Sequence, residues 1–423
     1  MGACGFAGLA GYMRGDEEPK PSENDSEVNH TPERGTPEES DSILFGVTPE
    51  KLWSFETQGK VFAAPTVANG YAYVGSKDGY LYAFKEEEPD NTYEGEELRM
   101  FKTDPENTNS LENHGPTQNV QEAWRFNAGG DIWGNPVIVD QNLYFGSENG
   151  VFHAVDGVTG EELWRNRVGG AISPPTLVDG TVYFSAVKVA NMEDRNPDVE
   201  ADSPGTVYAL NADDGSIEWK FERNNRILSP PAVDEDSVYV GCWDTNFYRL
   251  DAETGEELWK FDEADNVFCG TKAAIWDGVL YMGNHDDNVY AIDAEDGSLV
   301  WSFETGDKVV SSAVATKDGV FVGSLDEHLY GIETETGEKM WEFEATGVVA
   351  SSPGYRDGVL YVGDGGSSIH AVNSNSGDGI WRYDVEGSVV SSPLISDDTI
   401  YVGSNDNKVY SLENKLVEEE DLE

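Results

Sequence analysis

The amino-acid sequence predicts an all-β fold made of one structural unit that is repeated eight times. Tryptophan supplies the first observation, because eight of the eleven tryptophans recur along the chain and five of the seven intervals between these eight are 40 to 42 residues long. These tryptophans are Trp53, Trp124, Trp164, Trp219, Trp259, Trp301, Trp341 and Trp381. Each unit also contains short stretches that alternate apolar and polar residues, and glycine is abundant, with 46 residues in 423. Units of this kind cannot bury an apolar face alone, so they stack on copies of themselves.

The unit that ends around Trp341 illustrates the four strands predicted for each repeat. In chain order their sequences are DKVVSSAVAT, GVFVGS, HLYGIE and KMWEFEAT, with turns between them. Four antiparallel strands repeated around an axis form a propeller blade, because radial repetition leaves short and protected sheet edges. A helical alternative does not fit, since glycine and proline interrupt the repeats and period two dominates.

Counting strands predicts the number of blades and the way in which the ring closes. Eight inner strands are predicted to begin near Val61, Ile132, Ile172, Ile227, Val267, Val309, Val349 and Val389. The outer, tryptophan-bearing strands also number eight, but the strand of Trp53 precedes every inner strand, and no tryptophan follows residues 409–412. We therefore predict an eight-bladed β-propeller of four-stranded antiparallel blades, closed by the N-terminal Trp53 strand pairing into the C-terminal blade.

The ends of the predicted third strands resemble the tryptophan-docking motif of pyrroloquinoline-quinone-type (PQQ-like) propeller repeats. The resemblance is carried by residues 154–164 (AVDGVTGEELW), 250–259 (LDAETGEELW) and 291–301 (AIDAEDGSLVW). Asp at the strand end can bond the backbone two residues on, and the glycine can adopt a positive φ. Each indole is then expected to pack against the neighbouring blade, which gives the repeated tryptophans a structural role.

The repeat defines one large domain with two insertions. We predict an apolar stub and an acidic tether over 1–47, the propeller over 48–414, and an acidic tail over 415–423. The first insertion, 85–121, falls between the third and fourth strands of one blade and is expected to loop out on the rim. The second, 187–204, falls between the second and third strands of the third blade and is expected to overhang the mouth of the central channel.

The overall charge excludes some partners. Asp and Glu number 81 against 27 Lys and Arg, which gives a formal net charge of −54. Nucleic acid and anionic membrane surfaces require a basic face, so neither is expected as a partner. Acidic residues occur in every repeat, and such a surface repels itself unless salt screens it. We therefore predict adaptation to high salt and a halophilic archaeal source.

The first residues of the chain predict export. Residues 2–13 (GACGFAGLAGYM) are small and apolar, like the end of a secretory leader, and the stretch is too short to span a bilayer. The acidic tether that follows is rich in proline and serine, a composition typical of disorder. We predict an extracytoplasmic, cell-surface protein anchored through its N-terminus, with Cys4 as the candidate lipid acceptor. An ordinary disordered N-terminus is the alternative.

Deviations from the repeat locate the candidate ligand-binding residues at the mouth of the channel. Trp133 begins an inner strand and Trp243 lies in a loop between second and third strands, so both are expected on one face, where they could stack on a planar ligand. The alternative is that they plug the channel or pack beneath the second insertion. Arg226 and Lys272 are expected on the same face, with Lys272 at the place held elsewhere by a proline such as Pro353. They would bind an anion, or else neutralise neighbouring acids.

The resemblance implies two functions. One is a non-catalytic binding or assembly module of the cell envelope, which holds protein partners through one propeller face. The alternative is a PQQ-dependent (quinoprotein) alcohol or sugar dehydrogenase, with PQQ and Ca²⁺ as cofactors. Those enzymes often carry an adjacent cysteine pair, whereas Cys242 and Cys269 are far apart in sequence, and the six histidines show no metal-ligand spacing. We therefore predict the binding module, with no catalytic residue, metal or cofactor.

Overall fold

The computed structural model describes residues 47–86, 107–108, 110–111, 115–118, 120–187, 204–234 and 236–416. Cys4 and the acidic tether therefore lie outside the described residues, as does most of the second insertion. Every regular element in the described ranges is a β-strand. No helix in these ranges is long and apolar enough to cross a membrane.

The strands follow one another in short, regular pieces. They are β1 (Val47–Glu56), β2 (Thr66–Ala68), β3 (Tyr71–Gly75), β4 (Tyr80–Glu86), β5 (Ser110–Leu111), β6 (Val120–Asn127), β7 (Val137–Val139), β8 (Asn142–Ser147), β9 (Val151–Asp156), β10 (Glu162–Arg167), β11 (Thr176–Val178), β12 (Thr181–Val187), β13 (Gly205–Asn211), β14 (Ile217–Arg223), β15 (Ala232–Val233), β16 (Ser237–Gly241), β17 (Phe247–Asp251), β18 (Glu257–Phe261), β19 (Ala274–Trp276), β20 (Val279–Gly283), β21 (Asn288–Asp293), β22 (Leu299–Glu304), β23 (Val314–Thr316), β24 (Gly319–Gly323), β25 (His328–Ile332), β26 (Lys339–Glu344), β27 (Gly354–Arg356), β28 (Val359–Gly363), β29 (Ser368–Asn373), β30 (Gly379–Asp384), β31 (Leu394–Ser396), β32 (Thr399–Gly403) and β33 (Lys408–Leu416).

These strands form eight sheets, which confirms the predicted eight-bladed propeller. We number the blades in order of their inner strands, so that blade 1 contains β2-β3-β4-β6 and blade 2 contains β7 to β10. Blades 3 to 7 follow in the same way, four strands at a time, from β11 to β30. Blade 8 has the order β1-β33-β32-β31-β5, and its antiparallel β1–β33 pairing places Ser54 opposite Tyr410. The first strand of the chain is therefore the outer strand of the last blade.

The core lies between neighbouring blades. Second and third strands are buried on both faces, as in β24 and β32, where every residue is buried. Blades approach so closely that six of the eight second strands end in glycine. A Cβ added to Gly283 would lie 2.3 Å from a methyl carbon of Val309 in the next blade. Any larger side chain there would push two blades apart, because protein interiors are already close-packed.

Each of the eight tryptophans of the repeat ties its blade to the next one. The fourth strands shift register immediately before the tryptophan, so that one residue bulges out and the indole turns toward the neighbouring blade. The indole N–H then donates to an oxygen of that blade at 2.7 to 3.1 Å in all eight positions. In blade 5, for example, Trp301 Nε1 donates to the carbonyl oxygen of Thr334, and the ring lies against Gly337 of blade 6.

The inner strands are shorter than the sequence predicts. They begin at the residue after the proline position, as Leu394 does after Pro393, about five residues later than the apolar anchors suggest. Proline has no N–H to give to the ladder. In addition, the amide of Gly403 donates to Ser391 Oγ at 2.8 Å, so a side chain replaces the backbone partner there. The predicted starts near residues such as Val389 are therefore wrong, and the anchors instead fill the spaces between blades.

Candidate functional site

One end of the propeller axis is surrounded by a ring of equivalent residues. In every blade, the last residue of the second strand or a residue up to two positions after it donates its backbone N–H to the carbonyl of a residue that leads into the inner strand, at 2.9 to 3.4 Å. We call these sixteen residues the mouth ring. They are the pairs Lys77–Lys60, Glu148–Asp131, Val187–Ala171, Trp243–Arg226, His285–Val267, Leu325–Lys308, Gly365–Val348 and Asn405–Ser388. Because the inner strand is the strand nearest the axis, these bonds hold the loop residues at the axial edge of each blade.

In most blades, the loop between the second and third strands also contains an aspartate, and its side chain bonds to the third strand. In five blades an aspartate follows the mouth-ring residue and accepts a hydrogen bond from a tyrosine hydroxyl of the third strand, at 2.6 to 2.8 Å. The tyrosine–aspartate pairs are Tyr82–Asp78, Tyr248–Asp244, Tyr290–Asp286, Tyr330–Asp326 and Tyr410–Asp406. Burial and the bond to Asp78 raise the pKa of Tyr82 to about 12, so this tyrosine remains a neutral donor. The aspartates are thus turned toward the third strands and away from the axis.

Trp133 lies at this mouth in a stack of three side chains. Its ring is 8% exposed and stacks on Phe62, with 4.9 Å between centroids and 24° between planes. The ammonium nitrogen of Lys77 lies 4.0 Å from the centroid of Trp133 and 5.1 Å from that of Phe62. A cation over an aromatic face is attracted by the ring quadrupole. The stack joins blades 1 and 2, and it holds the Lys77 head group at the mouth.

Trp243 and Arg226 form a similar pair in blade 4. The guanidinium carbon of Arg226 lies 4.7 Å from the centroid of Trp243, and the backbone N–H of Trp243 donates to the carbonyl of Arg226 at 2.9 Å. Both side chains are half-buried. The backbone bond fixes the two residues side by side, so the planar guanidinium can rest on the indole face.

Lys272 lies deeper than the other candidate residues. It is fully buried, and its backbone N–H donates to Ser312 Oγ of the next blade at 3.0 Å. The same link joins Ser312 N to Ser352 Oγ at 2.9 Å and Ala64 N to Asn135 Oδ1 at 2.6 Å. Lys272 thus belongs to a set of polar links between neighbouring blades, seen from blade 5 to blade 7 and between blades 1 and 2, which we call the polar collar.

The position of Lys272 in the repeat corrects the sequence prediction by one residue. Strand β19 begins at Ala274, so Ala273 holds the place of Pro353, and Lys272 holds the place of Ser352. The prediction that Lys272 replaces a proline is wrong, because blade 5 has one more residue before its inner strand than its neighbours have.

Residues 107–108 and 110–111 of the first insertion lie along the axis and not on the rim, so the prediction that the insertion loops out on the rim is wrong for this segment. Residues 87–106 lie outside the described part of the chain. Strand β5 pairs in parallel with β31, the inner strand of blade 8. The carbonyl of Thr108 accepts the amide of Tyr355 at 2.7 Å, and Asn107 Nδ2 donates to the carbonyl of Ala313 at 3.1 Å. Inner strands present unpaired backbone groups to the axis, and this polar segment satisfies some of them. It forms a floor beneath the polar collar, at blades 5 to 8.

The insertion returns to blade 1 by rebuilding the turn that it interrupts. In blade 2, Asp156 Oδ1 accepts the amide of Thr159 at 2.7 Å and its hydroxyl at 2.9 Å. In blade 1, Glu86 Oε1 accepts the amide of Thr117 at 2.7 Å and its hydroxyl at 3.0 Å. The carbonyl of Pro116 then receives the indole N–H of Trp53 at 2.7 Å. A local turn is thus re-formed from residues separated by the whole insertion.

Two histidines, His153 and His370, replace the tyrosine of the third strand, and each contacts a carboxylate. His370 Nε2 lies 2.8 Å from Asp364 Oδ2, and both side chains are buried. Burial raises the pKa of Asp364, but hydrogen bonds from His370, Thr346 and Ser368 outweigh it and hold that pKa below its usual value. At His153, burial disfavours the charged imidazolium and therefore lowers the pKa. Among the described residues, no three His, Cys, Asp or Glu side chains are grouped closely enough to hold a metal ion.

Sequence reasoning identified part of this region. Trp243 and Arg226 are members of the mouth ring and Trp133 lies at it, whereas Lys272 lies below them. Sequence reasoning did not identify Phe62 and Lys77. Phe62 could have been found, because it follows the apolar residue Val61 in the same way as Trp133 follows Ile132, so the two aromatic residues are equivalent in the repeat. Asn107 could not be found in this way, because the insertion has no second copy in the chain.

Comparison with known proteins finds two matching families. The family described as beta-alanine-activating enzyme, beta-propeller, matches residues 202–422, more than half of the chain. The family of outer membrane protein assembly factor BamB matches residues 117–197.

Curated relatives match over shorter stretches. Tetrathionate hydrolase of Acidithiobacillus ferrooxidans is 31% identical over 137 residues, 30% of this chain and 28% of that protein. Outer membrane protein assembly factor BamB of Burkholderia pseudomallei is 29% identical over 149 residues, 34% of this chain and 35% of that protein. The matches thus span about a third of the length of these relatives.

Solved structures share the architecture. BamB from Moraxella catarrhalis has a TM-score of 0.65 at 18% identity, and covers 86% of this chain and 100% of that one. A europium-containing methanol dehydrogenase has a TM-score of 0.66 at 12% identity, and the match covers 86% of this chain and 93% of that one. At these identities the likeness concerns the fold alone. The family matches and the fold together confirm a PQQ-like propeller.

Proposed function

The chain belongs to the family described as the beta-propeller of beta-alanine-activating enzyme, and we propose that it is a non-catalytic binding and assembly module of the cell envelope. The family name describes a propeller within an enzyme, and it does not by itself give this propeller a reaction. In our proposal the ring is a rigid scaffold, and loops at one of its faces hold a partner protein.

The similarity to outer membrane protein assembly factor BamB carries this proposal. It recurs in relatives from several bacteria, at 29% identity over 149 residues for Burkholderia pseudomallei and 28% over 111 for Shewanella oneidensis. The name of that relative describes assembly of outer membrane proteins. The mouth ring supports the proposal further, because loops fixed to a rigid scaffold are suited to binding. An extracytoplasmic location and an anchor through Cys4 belong to the same proposal.

The alternative is a PQQ-dependent alcohol or sugar dehydrogenase. Its support is the fold shared with a methanol dehydrogenase at 12% identity. A calcium ion beside a quinone needs several oxygen ligands, most of them carboxylate or amide oxygens. The described residues offer no such group of acidic side chains, and Asn107 and Thr108 lie across the axis below the collar. These residues do not fit the cofactor pair, and we derive no reaction from it.

Two experiments test the proposal. The full chain, affinity-tagged in its native host, should co-purify with a specific envelope protein in molar KCl, and the pair should re-form from the two purified proteins. The purified chain should also reduce no dye when it is given PQQ, Ca²⁺ and a panel of alcohols and sugars. Quinone-dependent turnover, or the failure of any purified pair to re-form, would overturn the assembly role.

A further inference from the structure

We propose that the mouth ring binds an acidic peptide segment of the partner protein. This inference rests on the proposed function and names the face and the chemistry of the contact. It starts from the charge of the ring, which is opposite to that of the rest of the chain.

The mouth ring is a basic region of a very acidic protein. The chain as a whole has three acidic residues for every basic one, 81 against 27. Among the sixteen residues of the mouth ring the ratio is reversed, since four are basic and two are acidic. The basic residues are Lys60, Lys77, Arg226 and Lys308, and the acidic ones are Asp131 and Glu148. Lys308 also pairs with Asp307, its neighbour in the chain, at 3.9 Å. Such a patch attracts anions locally, while the remaining surface repels them.

The reversal has a structural cause. In five of these loops an aspartate lies one position beyond the mouth ring and is bonded to a tyrosine of the third strand, as Asp78 is to Tyr82 at 2.7 Å. The residue before it bonds to the inner strand instead, as the amide of Lys77 does to the carbonyl of Lys60 at 3.0 Å. Adjacent residues therefore face opposite directions, with the carboxylate outward and the mouth-ring residue toward the axis.

The basic side chains are presented on aromatic surfaces. Lys77 lies over Trp133 and Phe62, and Arg226 lies over Trp243. Support of this kind reduces the freedom that a long side chain loses when it binds a carboxylate. Arginine can also hold a carboxylate through two parallel hydrogen bonds. Each aromatic pair thus offers a cation together with an apolar surface for the neighbouring residue of a peptide.

The distribution of the cations favours a peptide over a small anion. They lie in blades 1, 4 and 6, so they surround the axis and do not converge on one point. The described residues of the first insertion cover the opposite side of the collar at blades 5 to 8, so the proposal places the ligand on the mouth side. Residues 188–203 of the second insertion lie outside the described part of the chain. An extended segment with several carboxylates can reach more than one cation at a time. A nucleic acid carries a denser charge and is repelled more strongly by the net charge of −54.

Fluorescence anisotropy with synthetic peptides tests the inference on the full chain. A labelled ten-residue peptide of Glu, Asp and Leu is compared with its Gln/Asn counterpart and with a labelled single-stranded oligonucleotide. The titration is made at the lowest KCl concentration at which circular dichroism shows the chain folded, and again at higher salt. We expect binding of the acidic peptide, weakened by salt, and at least tenfold weaker binding of the other two ligands.

Three sets of substitutions assign the site. Lys77→Gln, Arg226→Gln and Lys308→Gln together should weaken peptide binding about tenfold or more, because each exposed ion pair contributes at most about fivefold to the affinity. The conservative set Lys77→Arg, Arg226→Lys and Lys308→Arg should retain most of the binding, which shows that charge is responsible and that the fold is intact. Lys260→Gln, Lys317→Gln and Lys339→Gln remove the same charge elsewhere on the surface and should change nothing.

The outcomes separate this inference from the proposed function. If a partner protein still binds the Lys77, Arg226 and Lys308 glutamine variant with full affinity, the mouth ring is not its site, and the assembly role stands. The inference also fails if the control set weakens peptide binding as much as the mouth-ring set, or if the oligonucleotide binds as tightly as the peptide. If no partner re-forms a pair in the earlier experiment, the assembly role fails, whatever the peptide does.

Discussion

Replacing Gly115 with alanine tests whether the insertion packs against the joint between blades 8 and 1. A Cβ at this position would lie 2.5 Å from Tyr401 Oη and 2.9 Å from a methyl carbon of Val67. Tyr401 is fully buried and its hydroxyl donates to Pro116 O at 3.1 Å, so it cannot move away freely. Overpacking of this kind costs about 1–3 kcal/mol. We expect Gly115→Ala to lower the free energy of unfolding by that amount.

Urea denaturation at constant KCl, followed by tryptophan fluorescence, measures this cost. Gly379→Ala is the matched control, since Gly379 is exposed in β30 and a Cβ added there would lie 3.3 Å from its nearest neighbour, a ring carbon of Phe343. Tyr401→Phe removes one of the clashing atoms, so Gly115→Ala should cost less in that background than alone, a coupling typical of residues in contact. If Gly115→Ala behaves like the control, or if the two changes are simply additive, the insertion is not packed at this joint.

Three further predictions concern the ring as a whole. Trp301→Phe removes the indole N–H that Thr334 O accepts at 2.9 Å and leaves a small cavity, so it should cost about 2–4 kcal/mol in the same denaturation assay, while Trp276→Phe, outside the repeat, should cost less. The depressed pKa of Asp364 stabilises the fold above the unfolded value of about 3.9, and this contribution is lost as pH falls through the folded value. Asp364→Asn should therefore flatten the fall in stability below about pH 4, measured by urea titrations at several pH values, and an unchanged slope would refute the assignment. For the salt adaptation predicted from the sequence, the midpoint of thermal unfolding should rise markedly between 0.1 M and 3 M KCl, because salt screens the self-repulsion of a surface with net charge −54, and a flat curve would contradict it.

The repeat is the part of this protein that sequence reasoning predicts well. Equivalent tryptophans give the number of blades, because each must occupy the same place between two sheets. The start of the inner strands was misjudged, since apolar residues such as Val389 fill the space between blades without joining a ladder. Lys272 was misplaced by one residue for a similar reason, because blade 5 contains an additional residue that only the hydrogen bonds to its neighbours reveal.

The region around the axis was predicted less well, for a physical reason. Its side chains are selected by partners in other blades, as Lys77 is placed over Trp133 and Asn107 beside Ala313. Such contacts join residues far apart in the chain, and no periodicity records them. Insertions add to the difficulty, because a segment without a second copy has no pattern from which its path could be inferred.

The reconstructed turn in blade 1 leads to a last prediction, that the insertion is dispensable for the blade but not for the channel. In this graft, residues 86–117 are replaced with the four-residue turn of blade 2, Asp156 to Thr159. The graft keeps a carboxylate that accepts the threonine amide, and it keeps a backbone carbonyl that can accept the indole N–H of Trp53. It shortens the span between the bonded residues from 31 to 3, about three doublings, which gains roughly 2 kcal/mol of loop entropy. The loss of the bonds to Tyr355, Ala313 and β31 costs a similar amount at about 1 kcal/mol each, so stability should change by less than about 2 kcal/mol.

Access to the channel should change much more than stability in this graft. Lys272 is fully buried beside the floor that the insertion forms. In the graft its ammonium should react with an amine-modifying reagent at a rate close to that of the exposed Lys317, whereas in the intact chain it should be strongly protected. Peptide mapping by mass spectrometry measures both lysines in one sample, so Lys317 serves as the internal control. Equal protection of Lys272 in the two proteins would mean that the blades alone bury it and that the insertion does not close the axis.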